Sequence, residues 1–346
     1  MKRKIGIITI IGKNYGNRLQ NYALQEVLRD YARHVYTIPM YKEPIIKQKI
    51  KYCIESVIRR NVVKKDGWMR FYFLINWESD SIRELCEEQY DAFVAGSDQI
   101  WNPFFEYNTG REFLTFSKKE KRIAYAASMG IEVLPDSCKD RYREWLSEMP
   151  FISVRESAAA NIVYELIGKK VPVVLDPVFL LNESEWNKLA QKANCSEKSE
   201  YIFYYFLGKQ NEEANDWIEK LANKRSLRVL NVLEHFDEYG PMEFVALIKG
   251  AEMVVTNSFH CTAFSIIYHK QFVVFERQMD NISEQMTSRL NTLLEMFDLK
   301  NRFYSGVWNE DISEIKYTKW KEIDRVLEKR RNESIKFITE ALNING

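Results

Sequence analysis

Apolar residues along the chain fall into short runs bounded by polar loops, and the runs alternate with stretches of helical period. Ile5 to Ile11 is almost continuously apolar, as expected of a strand buried on both faces. Gly12 to Gly16 is a polar turn. Leu19, Tyr22, Ala23 and Val27 then recur at helical spacing up to about Arg33, and Val35 to Ile38 reads as the next strand. This βαβ opening predicts a parallel sheet. The rhythm resumes further on. Tyr90 to Ala95, Ile123 to Ala127, Phe151 to Val154 and Val171 to Leu175 read as strands, with helices over Arg141 to Met149 and Ser157 to Leu166. The second half repeats the scheme. Its strands are Tyr201 to Leu207, Leu227 to Val232, Met253 to Thr256 and Phe272 to Phe275. Its helices are Asn211 to Lys224, one opening at Pro241, Cys261 to Tyr268, Ser288 to Phe297 and about Lys319 to Leu342. The pattern predicts two α/β halves, parallel sheets flanked by helices, facing a cleft. The border is placed at 175/176, giving domains 1–175 and 176–346, with the last helix a candidate to pack back on the first.

Length and charge sharpen this picture. At 346 residues the chain is long enough for two domains. Fifty Lys and Arg against 49 Asp and Glu leave a formal charge of +1, which excludes a basic coat for nucleic acid and an acidic tail. The balance hides a local excess. Residues 42–70 carry nine Lys and Arg against three acidic residues, interleaved with Ile45, Ile46, Ile50, Ile54, Val57 and Ile58. That suits a solvated amphipathic helix, or a surface for anionic lipid or a phosphorylated acceptor at the inner membrane face. The five cysteines are widely spaced, odd in number and without C-x-x-C, which fits a reducing cytoplasm and argues against a disulfide framework or thiolate zinc. The basic start and short apolar run read as a first strand, not a signal peptide, and no apolar run is long enough to span a membrane.

Ligands of open parallel sheets bind at the carboxyl ends of the strands. The loops to inspect are therefore Asn14 to Arg18, Gly96 to Asn102, Ser128 to Gly130, Ser153 to Glu156 and Thr256 to His260. His260, one of four histidines, falls where a strand gives way to a helix. N–H groups at a helix start can hold an anion, and an imidazole moves protons near neutral pH. The competing role is a histidine that caps its loop. Arg155 follows a short strand directly, and its guanidinium suits a carboxylate or phosphate ligand, or a surface pairing with Glu156 or a helix terminus. Arg289, at a helix start, is either a second anion clamp or an interhelical salt bridge. Asp98 can accept a proton from a sugar hydroxyl or cap the next turn. Ala95-Gly96-Ser97-Asp98-Gln99 lacks the second Gly of G-x-S-x-G, which disfavours a serine nucleophile. Neither G-x-G-x-x-G nor a Walker A string occurs, and no pair of histidines has metal-ligand spacing.

Five strings in order resemble the polysaccharide pyruvyl transferase family. They are Asn14-Tyr15-Gly16-Asn17-Arg18-Leu19-Gln20-Asn21-Tyr22-Ala23-Leu24-Gln25, Gly96-Ser97-Asp98-Gln99-Ile100-Trp101-Asn102, Ser153-Val154-Arg155-Glu156, Leu175-Asp176-Pro177 and Thr256-Asn257-Ser258-Phe259-His260. The resemblance implies two Rossmann-like domains like those of GT-B glycosyltransferases. It implies phosphoenolpyruvate as donor, with no metal or redox cofactor. The acceptor would be a sugar of a cell-surface polysaccharide precursor, carried as a sugar nucleotide or lipid-linked oligosaccharide. The product would be a ketal bridging two hydroxyls. By the same resemblance Arg155 and His260 match catalytic and donor-binding positions. Ser258 and Arg289 are expected beside them on the donor, and Asn17, Arg18 and Asp98 on the acceptor. One departure stands out: the family commonly has Gly after the histidine, and this chain has Cys261. Cys261 is a small side chain tolerated by packing, a residue that crowds the donor phosphate, or a thiol acid with a lowered pKa. Two rival readings remain: a GT-B glycosyltransferase with a nucleotide-sugar donor, and a glycan-binding relative without catalysis.

Overall fold

A computed structural model of the chain describes residues 3–39, 66–79, 85–105, 108–195, 197, 199–209, 211–277, 287–304, 306 and 317–343. Most of the basic segment, residues 42–65, lies outside the described residues, and the amphipathic helix expected there lies outside them too. The chain divides into two compact units. Met1–Val63, Tyr72–Leu180 and Lys329–Gly346 form the first, and Lys64–Phe71 with Leu181–Glu328 the second. The units part after Leu180, against a sequence border at 175/176, and the short piece Lys64–Phe71 belongs with the second unit.

The first unit holds five parallel strands, β1 (Lys4–Ile8), β2 (His34–Thr37), β3 (Ala92–Ala95), β4 (Arg122–Ala127) and β5 (Phe151–Val154), in the order β2-β1-β3-β4-β5. The second holds four, β6 (Tyr201–Tyr205), β7 (Arg228–Asn231), β8 (Met253–Thr256) and β9 (Gln271–Val274), in the order β7-β6-β8-β9. Helices α1 (Tyr15–Leu28), α2 (Gly67–Tyr72), α3 (Asp136–Ser147), α4 (Ser157–Ile167) and α5 (Glu183–Ala190) come first. Then follow α6 (Glu212–Arg225), α7 (Pro241–Gly250), α8 (Phe259–Ile267), α9 (Thr287–Met296) and α10 (Tyr317–Asn343).

Burial follows composition strand by strand. The central strands β3 (Ala-Phe-Val-Ala) and β8 (Met-Val-Val-Thr) are buried at every residue, as apolar runs covered on both faces must be. The edge strand β7 begins with exposed Arg228 and Val229. Gly6 lies so close beneath its neighbours that a Cβ there would come within 2.5 Å of the Ile38 side chain. In the first core Trp101 and Phe113 stack at 4.9 Å, and the Trp101 indole N–H donates to the Glu112 carbonyl at 3.0 Å. The second core gathers Phe206, Trp217, Val255 and Phe275.

One expected strand fails. Val171 to Leu175 makes a single bridge, Val154 with Val173. Pro172 has no N–H to donate, so a ladder cannot run through it. From Lys329 onward α10 belongs to the first unit. There Ser334 Oγ accepts from the Leu175 N–H at 3.0 Å, and Arg331 Nε donates to the Phe179 carbonyl at 2.9 Å. No helix among the described residues is long and apolar enough to cross a membrane.

Candidate active site

Each sheet order reverses once, between β1 and β3 in the first unit and between β6 and β8 in the second. Crevices at such points, beyond the carboxyl ends of the strands, are where open α/β sheets hold ligands.

In the first unit Asn14 caps α1, its Oδ1 accepting from the N–H groups of Gly16 (2.9 Å) and Asn17 (3.3 Å). Asn17, in the first turn thus fixed, donates from Nδ2 to Asp98 Oδ2. Asp98 follows β3 and has φ of 69°, a left-handed conformation uncommon outside glycine. Its neighbours over-determine it. Asp98 O accepts from the N–H groups of Ile100 (2.7 Å) and Ser128 (3.0 Å), and Oδ1 accepts from the Gln99 N–H (2.9 Å). Backbone held in this way gathers at functional sites.

Arg155, just past β5, reaches the same carboxylate. Its Nη2 donates to Asp98 Oδ1 at 3.2 Å and its Nη1 to Asp176 Oδ2 at 2.5 Å. Ser97 Oγ donates to that Asp176 oxygen at 2.8 Å, while Oδ1 accepts from the Val178 N–H at 3.1 Å. None of Asp98, Arg155 and Asp176 is more than 5% exposed. Burial by itself would lower the guanidinium's pKa; Asp176, then Asp98 and Glu156, outweigh it and raise the value. One cation therefore holds two carboxylates from different loops out of water. The sequence offered Glu156 as the ion-pair partner of Arg155. The structure pairs Arg155 with Asp98 and Asp176, and gives Glu156 Oε1 three donors from the loop after β4: Ser128 Oγ (3.0 Å), Met129 N–H (2.8 Å) and Gly130 N–H (3.0 Å). That loop needs its glycine, because Gly130 has φ of +68° and a Cβ would come within 2.3 Å of Gln99 Oε1.

The polar residues of α1 divide between site and scaffold. Arg18 lies over the rings of Trp77 (5.3 Å) and Tyr72 (5.9 Å), which stack on each other at 4.9 Å. Gln20, Asn21 and Gln25 are fully buried. Gln20 Nε2 donates to Thr9 Oγ1 (2.8 Å), Thr37 Oγ1 donates to Asn21 Oδ1 (2.8 Å), and Gln25 Nε2 donates to Thr37 Oγ1 (2.7 Å) and the Asn76 carbonyl (2.8 Å). These three tie α1 to the sheet and fix where Asn17 sits.

In the second unit Asn257 closes the switch point. Its Oδ1 accepts from the Leu207 N–H and its Nδ2 donates to the Leu207 carbonyl, each at 2.8 Å. Ser258 caps α8, accepting from the Cys261 N–H at 3.5 Å. His260 stands in the first turn, 6% exposed, edge-on to Phe259 at 5.3 Å. A first turn presents N–H groups without intrahelical acceptors, at the positive end of the helix dipole. Cys261 is fully buried, and burial pushes its thiol up. The lowered pKa weighed for it is reversed, because desolvation raises the value more than the Thr256 hydrogen bond lowers it. Arg289 is buried in the first turn of α9.

Asn17, Asp98 and Arg155 thus converge in one unit, and Ser258 and His260 share a helix start in the other. Sequence reasoning missed Asp176, Ser97 and Asn14 as members of the cluster. The available signal was Leu175-Asp176-Pro177, an acid followed by a proline that opens a short turn.

Two parallel, helix-flanked sheets define a protein of two Rossmann-like domains, the GT-B type of architecture. The UDP-GlcNAc 2-epimerase of Neisseria meningitidis, solved with UDP-GlcNAc, matches with a TM-score of 0.50 at 9% identity over 98% of this chain and 99% of that one. That likeness is one of fold. The UDP-N-acetylglucosamine 2-epimerase of Rickettsia bellii gives 0.49 at 11% identity over 98% of both chains. A glycosyltransferase of Rickettsia africae ESF-5 gives 0.46 at 10% over 99% of both. No curated protein sequence matches the chain. The family model for polysaccharide pyruvyl transferase matches residues 14–278, and the chain belongs to that family. It is accordingly a transferase of polysaccharide modification.

Proposed function

We propose that the protein moves the pyruvyl group of phosphoenolpyruvate onto two hydroxyls of one sugar in a cell-surface polysaccharide precursor, forming a ketal. The family match over residues 14–278 carries this reading. The side chains suit the chemistry. The donor brings a carboxylate and a phosphate, and the start of α8, with Ser258 and His260, is suited to anions. Arg289 adds a cation for them. His260 donates a proton to the methylene carbon, which becomes the methyl group, and positive charge develops on the central carbon. The first sugar hydroxyl adds there and loses its proton, which restores the one His260 gave. The second hydroxyl then displaces phosphate, which leaves with the second hydroxyl proton. One proton enters the methyl group and one departs with phosphate, so no electrons change hands and no redox group is required. Asn17 and Arg18 lie on the acceptor side with Asp98. Arg155, committed to two carboxylates, acts in this reading as a positioning residue for Asp98.

The acceptor is a sugar nucleotide or a lipid-linked oligosaccharide, with the reaction in the cytoplasm. The basic charge of residues 42–70 favours peripheral contact with anionic lipid. Phosphate release from phosphoenolpyruvate, screened against candidate precursors, tests the reading. Release in the wild type and not in His260→Ala or Asp98→Asn is the expected result. Turnover of nucleotide sugars with no release from phosphoenolpyruvate refutes it in favour of a glycosyltransferase.

A further inference from the structure

The carboxyl edge of the second sheet holds a hollow of about 410 Å³ one strand away from the loop that carries His260. Tyr204, Phe206, Asn215, Asn231, Lys209 and Glu234 line it, and the half-exposed apolar side chains of Val229 and Leu233 complete the wall. We propose that this hollow is a carbohydrate subsite that binds a neutral sugar unit of the acceptor chain, distinct from the sugar that receives the pyruvyl group; the proposal rests on the pyruvyl-transfer reading.

Four observations carry it. The volume falls in the range of small-ligand sites, roughly 300–1,000 Å³. Tyr204 is only partly buried and is backed by buried Phe206, which stacks on it at 4.8 Å; its electron-rich ring attracts the C–H face of a pyranose. The polar groups are held in place before a ligand arrives. Tyr204 OH donates to Asn215 Oδ1 (3.1 Å), Asn231 Nδ2 to Glu234 Oε1 (3.2 Å), and the Leu233 N–H to Asn231 Oδ1 (3.2 Å). Such preorganised amides and a carboxylate match sugar hydroxyls, which both donate and accept. Finally, the lining has one Lys and one Glu, whose charges cancel. A diphosphate or phosphoenolpyruvate demands a cationic excess, and a neutral sugar does not. The hollow also connects to the candidate chemistry, because Asn257 grips Leu207, between lining residues Phe206 and Gly208, and directly precedes Ser258.

The full-length protein, with methyl-labelled valine and leucine, is titrated with cellobiose, lactose and N-acetyllactosamine, and separately with uridine diphosphate. The Val229 and Leu233 methyl signals report on the hollow. At least one disaccharide should shift both, saturably, with a Kd of about 1–10 mM. Asn231→Ala and Glu234→Ala should each weaken that binding about tenfold, and Glu234→Ala should do so with unchanged thermal unfolding. No saturable shift with any of the three, or a shift by uridine diphosphate at lower concentration, overturns the subsite. Phosphate release is measured in parallel. Release without saccharide binding here overturns the subsite alone, and saccharide binding without release upholds the sugar site while overturning pyruvyl transfer.

Discussion

Replacing Arg155 by Met puts the buried cluster to its hardest test. The guanidinium is 3% exposed and lies between Asp98 and Asp176, themselves 5% and 1% exposed. Methionine fills much of the volume and removes the guanidinium, so both buried carboxylates lose a cationic partner. Removing one partner of a buried ion pair costs about 3–5 kcal/mol. For a unit of this size each kcal/mol lowers the melting temperature by about 2–4 °C, so the drop should be about 6–20 °C. The loss should depend on pH. In the wild type the raised guanidinium pKa keeps the cation charged at every working pH, so its contribution is fully present there and fades only at extreme alkalinity. In the variant the buried carboxyls lose Arg155, and their pKa values rise above the wild-type ones. The deficit therefore grows as pH rises through that range, full at about pH 8 and smaller at about pH 5. Thermal unfolding of both proteins at both pH values measures this. Adding Asp98→Asn and Asp176→Asn to Arg155→Met removes the uncompensated charge and should recover at least half of the drop. A deficit under about 2 °C, or one equal at both pH values, refutes the reasoning.

Three further outcomes are expected. His260→Ala should cut phosphate release about 100-fold or more in protein that still unfolds cooperatively; release at the wild-type rate removes His260 from the chemistry. Iodoacetamide at about pH 8 should label exposed Cys86 in the folded protein and spare Cys261 until unfolding, because burial raises the Cys261 thiol; rapid labelling of Cys261 contradicts its placement. Gln25→Ala should cost about 1–3 kcal/mol in urea unfolding by removing the donor to the buried Thr37 hydroxyl and the tie to the Asn76 backbone, and a smaller loss argues against those bonds.

Much of the architecture was legible in the sequence, because the signals are local. A run such as Met253-Val254-Val255-Thr256 is strand-forming and apolar on both faces, and it became a central strand buried throughout. Leu19, Ala23 and Val27 at helical spacing put the buried face of α1 where the structure has it. The helix read from Cys261 starts two residues earlier, at Phe259, behind a Ser258 cap that the reading passed over. Where a local signal was misread, as at Val171 to Leu175, the cause was a proline whose missing N–H outweighs β-propensity.

The sequence by itself determined the alternation of strands and helices, the loops that end at strand tips, and the residue types that gather there. It also determined the family, through five strings in a fixed order. Tertiary structure alone decided who pairs with whom. Glu156 is next to Arg155 in the chain, yet Arg155 binds Asp98 and Asp176, and Glu156 binds the loop after β4. Cys261 adjoins His260, yet its thiol is buried and raised where the helix start suggested the opposite. Gln20, Asn21 and Gln25 share a string with Asn17 and are framework. The reason is physical. Propensity and periodicity act between near neighbours in the chain, whereas burial and Coulomb interaction depend on distance through space, which only the folded chain fixes.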